Sequence, residues 1–308
     1  SYSISASDKV GQAAVSNGSI LYVESTSSSN IYRYRLNITE ASNKTDAQNS
    51  NSSLNNFAIT NTRHTSILPT YANTTDSLAY VSSDTGEWQL YIMDTDKQIL
   101  PLNFPEEINH LTNIKWAKDD SYLVVTANEQ LYHFNLATNT WKNIPITLTN
   151  IHYVEVFDQY NVIVSSDSSG DWQLWLVNII TNETKQLTTH GGYSVARGIS
   201  ENQIYLTKFA QLRLYNLDLM TGEEHVVIND FDITYWHRWK VRNNFLYFID
   251  DKSIKMRSLT GKNATVHSVL QLEKRIPTNF SVSKNGDGVA ISNIEDSSAS
   301  IKVLKPSN

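Results

Sequence analysis

The residues best suited to chemistry in this sequence do not form a familiar catalytic pattern. There is no cysteine among the 308 residues, which excludes thiol catalysis, disulfides and cysteine-based zinc sites. The sequence also has no Gly-X-Ser-X-Gly nucleophile elbow, no His-Glu-X-X-His motif and no phosphate-binding loop. We therefore predict a protein that is not an enzyme and that uses no cofactor.

Two kinds of acidic stretch, one loop segment and a pair of turns, have residue types that bind cations. The segment PEEINH brings Glu106 and Glu107 close to His110, and the turns SSDTGE and SSDSSGD are rich in aspartate. The first is more simply a solvated acidic loop. The turns lack the ligand number and the bidentate glutamate of a calcium loop, and Asp and Gly suit tight turns for backbone reasons. No metal site is predicted.

A third segment, TYWHRWK from Thr234 to Lys240, concentrates two Trp, one Tyr and several basic groups. Aromatic and arginine side chains are common anchors of binding surfaces. If the segment is extended, alternation places Trp236 and Arg238 on one side and His237 on the other. The alternative is that the tryptophans only pack between neighbouring sheets. One side of this segment is a candidate for ligand binding.

The charge and hydropathy of the sequence limit the kinds of partner that the chain is expected to bind. The chain has 25 basic and 31 acidic residues, a net charge of −6, and no run of Lys or Arg forms a basic stripe. Direct nucleic-acid contact by this chain is therefore not expected. No apolar run approaches 18 residues, so we expect membrane attachment only through a transmembrane helix absent from this sequence.

The elements that must position these residues are short, repeated strands. Apolar segments recur, and a second strand follows each after a short polar turn. These segments begin at Ser19, Ser77, Ser121, Asn161, Gln203, Phe245 and Gly288. The intervals are 40 to 44 residues, except for a first interval of 58. No window has a sustained period of 3.6, so helices should be nearly absent.

Four short strands per unit of this length are typical of a β-propeller. A single four-stranded sheet cannot bury both faces, whereas a closed ring of such sheets can. We predict an all-β, seven-bladed β-propeller with four-stranded antiparallel blades, forming one domain over residues 1–308. Its blades should start near residues 10, 65, 112, 151, 193, 235 and 278. Residues 1–8 should supply the strand that closes blade seven, and residues 40–56 should form a polar loop insertion.

The repeats resemble a known propeller family. SLAYVSSDTGEWQLYIMD and VIVSSDSSGDWQLWLVNIITNETKQLT are similar to the TolB-like, or PD40, repeat, which is related to WD40 repeats. The second half, including YWHRWKVRNNFLYFID, resembles the periplasmic C-terminal domain of CadC- and ToxR-type membrane-anchored winged-helix transcriptional regulators. That resemblance implies a periplasmic or extracytoplasmic sensor domain, a fragment of an inner-membrane protein that functions in signal transduction.

The predicted function is binding of a ligand or a protein, with the regulator sensor as the leading reading. The alternatives are a free periplasmic TolB-type scaffold and the propeller domain of a prolyl-oligopeptidase-type peptidase. We expect a protein or a small anionic ligand at the mouth of the propeller. The candidate ligand-binding residues are Arg63, His64, Trp88, Trp172, Tyr193, Arg197, Lys208, Trp236, His237 and Arg238.

Overall fold

The computed structural model describes residues 9–16, 19–36, 38, 56–108, 111–231, 238–250, 252–260, 265–272, 277 and 279–304. All regular secondary structure in these residues is β, and the strands form six antiparallel sheets. No helix in the described part of the chain is long and apolar enough to cross a membrane. The all-β class and the antiparallel, four-stranded blades predicted from the sequence are therefore confirmed.

Five sheets consist of four consecutive strands, and a sixth combines strands from both ends of the chain. The first three strands are β1 (Lys9–Ser16), β2 (Ser19–Arg35) and β3 (Asn56–Ala58). Blade I contains β4 (Ser66–Tyr71), β5 (Leu78–Ser82), β6 (Gln89–Met93) and β7 (Ile99–Asn103). Blade II contains β8 (Leu111–Trp116), β9 (Tyr122–Ala127), β10 (Gln130–Asn135) and β11 (Thr140–Asn143).

The remaining strands follow the same order. Blade III contains β12 (Tyr153–Val156), β13 (Asn161–Ser166), β14 (Gln173–Asn178) and β15 (Thr184–Gln186). Blade IV contains β16 (Ser194–Arg197), β17 (Gln203–Thr207), β18 (Arg213–Asp218) and β19 (Glu224–Asn229). Blade V contains β20 (Trp239–Arg242), β21 (Phe245–Asp250), β22 (Ser253–Ser258) and β23 (Val266–Gln271). Blade VI contains β24 (Asn279–Val282) and β25 (Gly288–Leu304) together with β2, β3 and β1.

The first strand of each blade faces a central channel. Strands β4, β8, β12, β16, β20 and β24 contact one another in this order, and β24 contacts β4. This ring of contacts closes the propeller. The second strands are buried on both faces, as in β5 and β9, where every residue is buried. A strand that packs between two neighbouring blades needs apolar residues on both sides, which explains sequences such as LAYVS and YLVVTA.

The prediction of seven blades is wrong, because the structure has six. Strands β2 and β25 are 17 residues long, and each was read from the sequence as two strands separated by a Ser-rich turn. Instead, the two Ser-rich stretches face each other, with Thr26 opposite Ser298 and Ser27 opposite Ser297. The predicted blades one and seven are therefore two halves of blade VI.

Closure of the ring also differs from the prediction. Within blade VI the strand order is β24, β25, β2 and β3, so the outer strands come from β2 and β3. Residues 1–8, which were predicted to supply the strand that closes the last blade, lie outside the described residues. The predicted loop over residues 40–56 also lies outside them, except for Asn56, which begins β3.

Hydroxyl pairs join the first and second strands where the second strand ends. They are Ser66 with Ser82 at 2.9 Å, Thr112 with Thr126 at 2.8 Å, and Ser194 with Thr207 at 2.6 Å. These pairs satisfy polar groups that would otherwise be costly to bury. The hydroxyl pairs lie at the end of the propeller where the inner strands begin. We call this end the front face. The opposite end, where the inner strands finish, is the back face.

Candidate functional site

An aromatic cluster lies at the front face between blades III and IV. It consists of His152, Trp172, Tyr193 and Phe209. The Tyr193 ring lies 4.9 Å from the Trp172 ring and 6.2 Å from the Phe209 ring, centre to centre. The Tyr193 hydroxyl is hydrogen-bonded to Nδ1 of His152 at 2.9 Å. Burial raises the pKa of Tyr193, so this phenol stays protonated at neutral pH.

Backbone contacts hold the cluster in place. The amide of Gly192 donates to the carbonyl of Trp172 at 2.9 Å, which fixes the connection into β16 against the turn between β13 and β14. A side chain at position 192 would meet Leu174 at 2.7 Å. Only glycine permits this close approach, and it places the neighbouring Tyr193 against Trp172.

Lys208 lies beside the same aromatic cluster. Its side chain is almost fully buried, lies 2.5 Å from Oε1 of Glu224, and stands 4.5 Å from the centre of the Tyr215 ring. A buried lysine requires such a partner. The charge of Lys208 is therefore neutralised within blade IV and is not offered to a ligand.

The structure brings Trp172, Tyr193 and Lys208 together and separates most of the other predicted site residues. Arg63 and His64 are exposed in the connection before β4. Trp88 packs against the hydrophobic core shared by blades I and II. Arg238 is half-buried immediately before β20. Trp236 and His237 lie outside the described residues.

Arg197 is placed away from Tyr193. It is the last residue of β16, whereas Tyr193 immediately precedes that strand. At about 3.3 Å per residue, four residues separate them by about 13 Å along the strand. Arg197 therefore faces the back end of the channel, and it does not share a mouth with Arg63 or Arg238.

The channel contains a cavity of about 620 Å³ lined by the inner strands of all six blades. Several charged side chains lie in its wall: Lys115, Glu155, Arg197, Lys240 and Arg242. Lys115 Nζ lies 2.5 Å from Oε2 of Glu155, and both side chains are only about 15% exposed. Burial opposes the charge on Lys115, but Glu155 and Tyr153 together outweigh it and raise the pKa of Lys115.

Turn-to-turn hydrogen bonds surround the back mouth of the channel. The Asp120 carboxylate, in the turn between β8 and β9 of blade II, accepts from the backbone amide of Asn73 at 2.6 Å and from the amide and hydroxyl of Thr74 at 2.9 and 2.6 Å. Arg242 extends from blade V to the same turn and donates to Oδ1 of Asn73 at 2.8 Å and to the carbonyl of Ala72 at 3.0 Å. These contacts connect blade I to its neighbour, blade II, and to the non-adjacent blade V around one opening.

Asp120→Asn should loosen this mouth. The substitution retains a residue type that tolerates the positive φ of 62° at this position, but it leaves one oxygen where two now accept. We expect a loss of about 1–2 kcal/mol in unfolding free energy, measured by urea denaturation. Asp96→Asn, on the exposed turn between β6 and β7, is the control and should change stability little. Equal effects of the two substitutions would contradict this role of Asp120.

The aromatic cluster and the channel contain residues that the sequence analysis did not select: His152, Phe209, Lys115, Glu155 and Arg242. The signal for the channel residues was a charge within a short apolar strand, as in NIKW, YVEV and WKVR. A charged side chain in an inner strand can reach water through the channel. Among the described residues, no group of three or more His, Asp or Glu side chains is placed to hold a metal ion.

Comparison with solved structures shows which proteins share this fold. The chain is similar to the crystal structure of TolB from Acinetobacter baumannii, with 12% identity and a TM-score of 0.51 over 88% of this chain and 66% of that one. It is also similar to a putative TolB from Agrobacterium tumefaciens, with 10% identity and a TM-score of 0.61 over 88% of this chain and 99% of that one. The fold is that of a TolB-like β-propeller.

A nidogen/laminin complex shares the fold as well, with 9% identity and a TM-score of 0.55 over 75% of this chain and 89% of that one. The chain thus spans slightly less than two thirds of the A. baumannii TolB and almost all of the A. tumefaciens protein. No protein-family model and no curated protein matches the sequence. At these identities the TolB likeness concerns the fold, and it does not support the predicted resemblance to CadC- and ToxR-type regulators.

Proposed function

We propose that this protein is a non-enzymatic protein-interaction scaffold whose partner docks on the front face of blades III and IV. The observation that carries the proposal is the aromatic cluster, which ends in an exposed loop. Phe209 is 52% exposed and Leu212 is 55% exposed, next to the rigid Trp172–Tyr193 pair. Aromatic anchors supported by a packed base are typical of binding hot spots.

The backbone of this loop supports the same interpretation. Ala210 has a φ of 57°, a left-handed conformation that costs a non-glycine residue about 1 kcal/mol. The amide of Phe231 donates to the carbonyl of Leu212 at 3.0 Å and fixes the far end of the loop. Strain of this kind persists where surrounding structure imposes it and is frequent at binding loops. Here it accompanies the presentation of two apolar side chains to solvent.

Photo-crosslinking tests the docking face. A photoreactive amino acid at Phe209 should give a crosslinked partner in cells of the source organism, identified by mass spectrometry. The same residue at Met220, which is 77% exposed in the turn after β18 on the back face, is the control and should not capture this partner. Equal capture from both positions, or none from Phe209, would refute docking on the front face.

The corresponding variant is Phe209→Ser with Leu212→Ser. Because both side chains are exposed, we expect the unfolding free energy to change by no more than about 0.5 kcal/mol. Complex formation with the captured partner should fall by at least tenfold, since loss of hot-spot side chains typically costs about 2 kcal/mol or more each. Retained affinity would show that this loop does not contact the partner.

The place of this scaffold in a larger protein is a separate proposal. The sequence resemblance favours the extracytoplasmic sensor domain of a membrane-anchored transcriptional regulator, and the TolB-like fold is also compatible with a free periplasmic scaffold. Sequencing the complete gene separates these readings. A winged-helix domain and a transmembrane helix before Ser1 would support the sensor, and a signal peptide there would support the free scaffold. A downstream α/β-hydrolase domain would favour the peptidase alternative.

A further inference from the structure

The channel wall has an excess of positive charge that the front-face scaffold does not use. Counting every ionisable side chain as charged, its cations are Lys115, Lys118, Arg197, Lys240 and Arg242, and its carboxylates are Glu155, Asp158 and Glu201. Five cations minus three carboxylates gives +2 in the cavity, against −6 for the whole chain.

The carboxylates of the cavity are already occupied or lie at its rim. Glu155 pairs with Lys115 at 2.5 Å. Asp158 accepts from the backbone amides of Tyr160 and Asn161 at 2.8 and 2.9 Å, so it caps its own turn. Glu201 is exposed at the opening. Glu155 also offsets part of the charge of Arg242, but none of the three carboxylates forms an ion pair with Arg197 or Arg242.

Arg242 is held in place by neutral groups. Its guanidinium donates to the Asn73 side-chain oxygen, the Ala72 carbonyl, the Asn73 carbonyl at 3.4 Å and the Ser283 carbonyl at 3.3 Å. These acceptors fix its orientation but bring no negative charge. Burial and then the charge of Arg197 lower the pKa of Arg242, although the charges of Asp120 and Glu155 oppose this effect. The two arginines are therefore close enough to repel each other.

Arg197 is half-buried in the wall, and its side chain forms no hydrogen bond or ion pair with any described residue. Lys240 also lines the cavity, and its Nζ lies 5.9 Å from the centre of the Phe280 ring. Burial and the charge of Lys115 lower the pKa of Lys240 to about 7, although Glu155 opposes this effect. Two neighbouring arginines such as Arg197 and Arg242 are costly to bury unless an anion compensates them.

We infer that the channel is a binding site for a small organic anion with at least two negative charges, held by Arg197, Arg242 and Lys240. The volume of about 620 Å³ is within the usual range of small-molecule sites, about 300–1,000 Å³. Trp239, Phe157 and Ile199 provide apolar wall for the body of such a ligand. Arg242 is already oriented by its four acceptors, so little ordering is needed on binding.

Calorimetric titration with citrate and with inorganic phosphate, at constant ionic strength and pH 6.5, tests this site. We expect one of the two anions to bind, and their ratio distinguishes a carboxylate from a phosphoryl ligand. Arg197→Gln should weaken binding by about tenfold or more, the usual effect of losing a charge-assisted hydrogen bond. Arg213→Gln, an exposed position at the front end of β18, makes the same change in net charge and should leave affinity unchanged.

Two results would overturn the inference. One is that neither anion binds more tightly than chloride. The other is that Arg213→Gln weakens binding as much as Arg197→Gln, which would indicate a general effect of net charge. Neither result bears on the front-face loop, so the scaffold proposal stands or falls separately.

Binding should also take up a proton. A bound anion favours the charged form of Lys240, which shares the cavity wall with Lys115, Tyr153, Glu155, Arg197 and Arg242. The affinity should therefore decrease as the pH rises above about 7, by at most about tenfold per pH unit for one linked proton. Lys240→Met should flatten this pH profile, and an unchanged profile in that variant would exclude Lys240 from the site.

Discussion

Ile31→Ala is expected to open the propeller ring at the seam between blades VI and I. Ile31, on β2, is fully buried and packs with Tyr71, Leu78 and Tyr80 of blade I. Removing its side chain leaves a cavity between blade I and blade VI, which combines strands from both ends of the chain. Because large-to-small core substitutions cost about 2–5 kcal/mol, we expect a loss of this size in the unfolding free energy.

Urea denaturation measures this loss, and limited proteolysis shows where the ring opens. New cleavage should occur first between β2 and β4, because that connection joins the two blades at the seam. Ile180→Ala is the control, since Ile180 is 62% exposed, and it should change stability by less than about 0.5 kcal/mol. If the two alanine variants are equally stable, the seam does not depend on Ile31.

Glu155→Gln is the second substitution with a large expected effect. It removes the carboxylate paired with Lys115 and leaves that mostly buried ammonium beside the positively charged channel. Breaking a buried ion pair by removing one partner typically costs about 3–5 kcal/mol. We expect a decrease of this size in the free energy of unfolding at pH 7.

The double variant Glu155→Leu with Lys115→Met separates the cost of an unpaired charge from the value of the pair. Replacing both partners with apolar side chains of similar size is often neutral or stabilising. The double variant should therefore be more stable than Glu155→Gln. Denaturation of all three proteins in urea gives the comparison, and a double variant as unstable as the single one would mean that packing, not charge, explains the loss.

Much of the fold follows from strand patterning, and the error in blade number has a specific cause. Pairs such as YLVVTA and QLYHFN, β9 and β10, are short apolar strands joined by a polar turn, so the blades in the middle of the chain could be identified. Serine, however, is compatible with both turns and strands. The stretch from Thr26 to Ser29 forms a continuous strand because it pairs with the similar stretch in β25, a long-range partner that no local pattern reveals.

The candidate site was only partly predictable for a related reason. Trp172 and Tyr193 were selected as aromatic groups near strand starts, and they are in contact. Arg197 was assigned to the wrong end of the channel, because an error of a few residues in the strand boundary changes which face a side chain reaches. His152 and Phe209 complete the cluster only through packing between neighbouring blades, which depends on the tertiary structure.

The pairing of β2 with β25 has a mechanical consequence. Ile20 lies opposite Leu304 at one end of this ribbon, and Arg35 lies opposite Gly288 at the other. A pulling force applied at Ser19 and Leu304 therefore acts on one end of the ribbon and separates its residue pairs one after another. The pairs from Ile20 to Ser28 must part before tension reaches Ser29, whose hydroxyl is bonded to blade I. The ribbon would thus separate first and protect the ring from tension applied at Ser19 and Leu304.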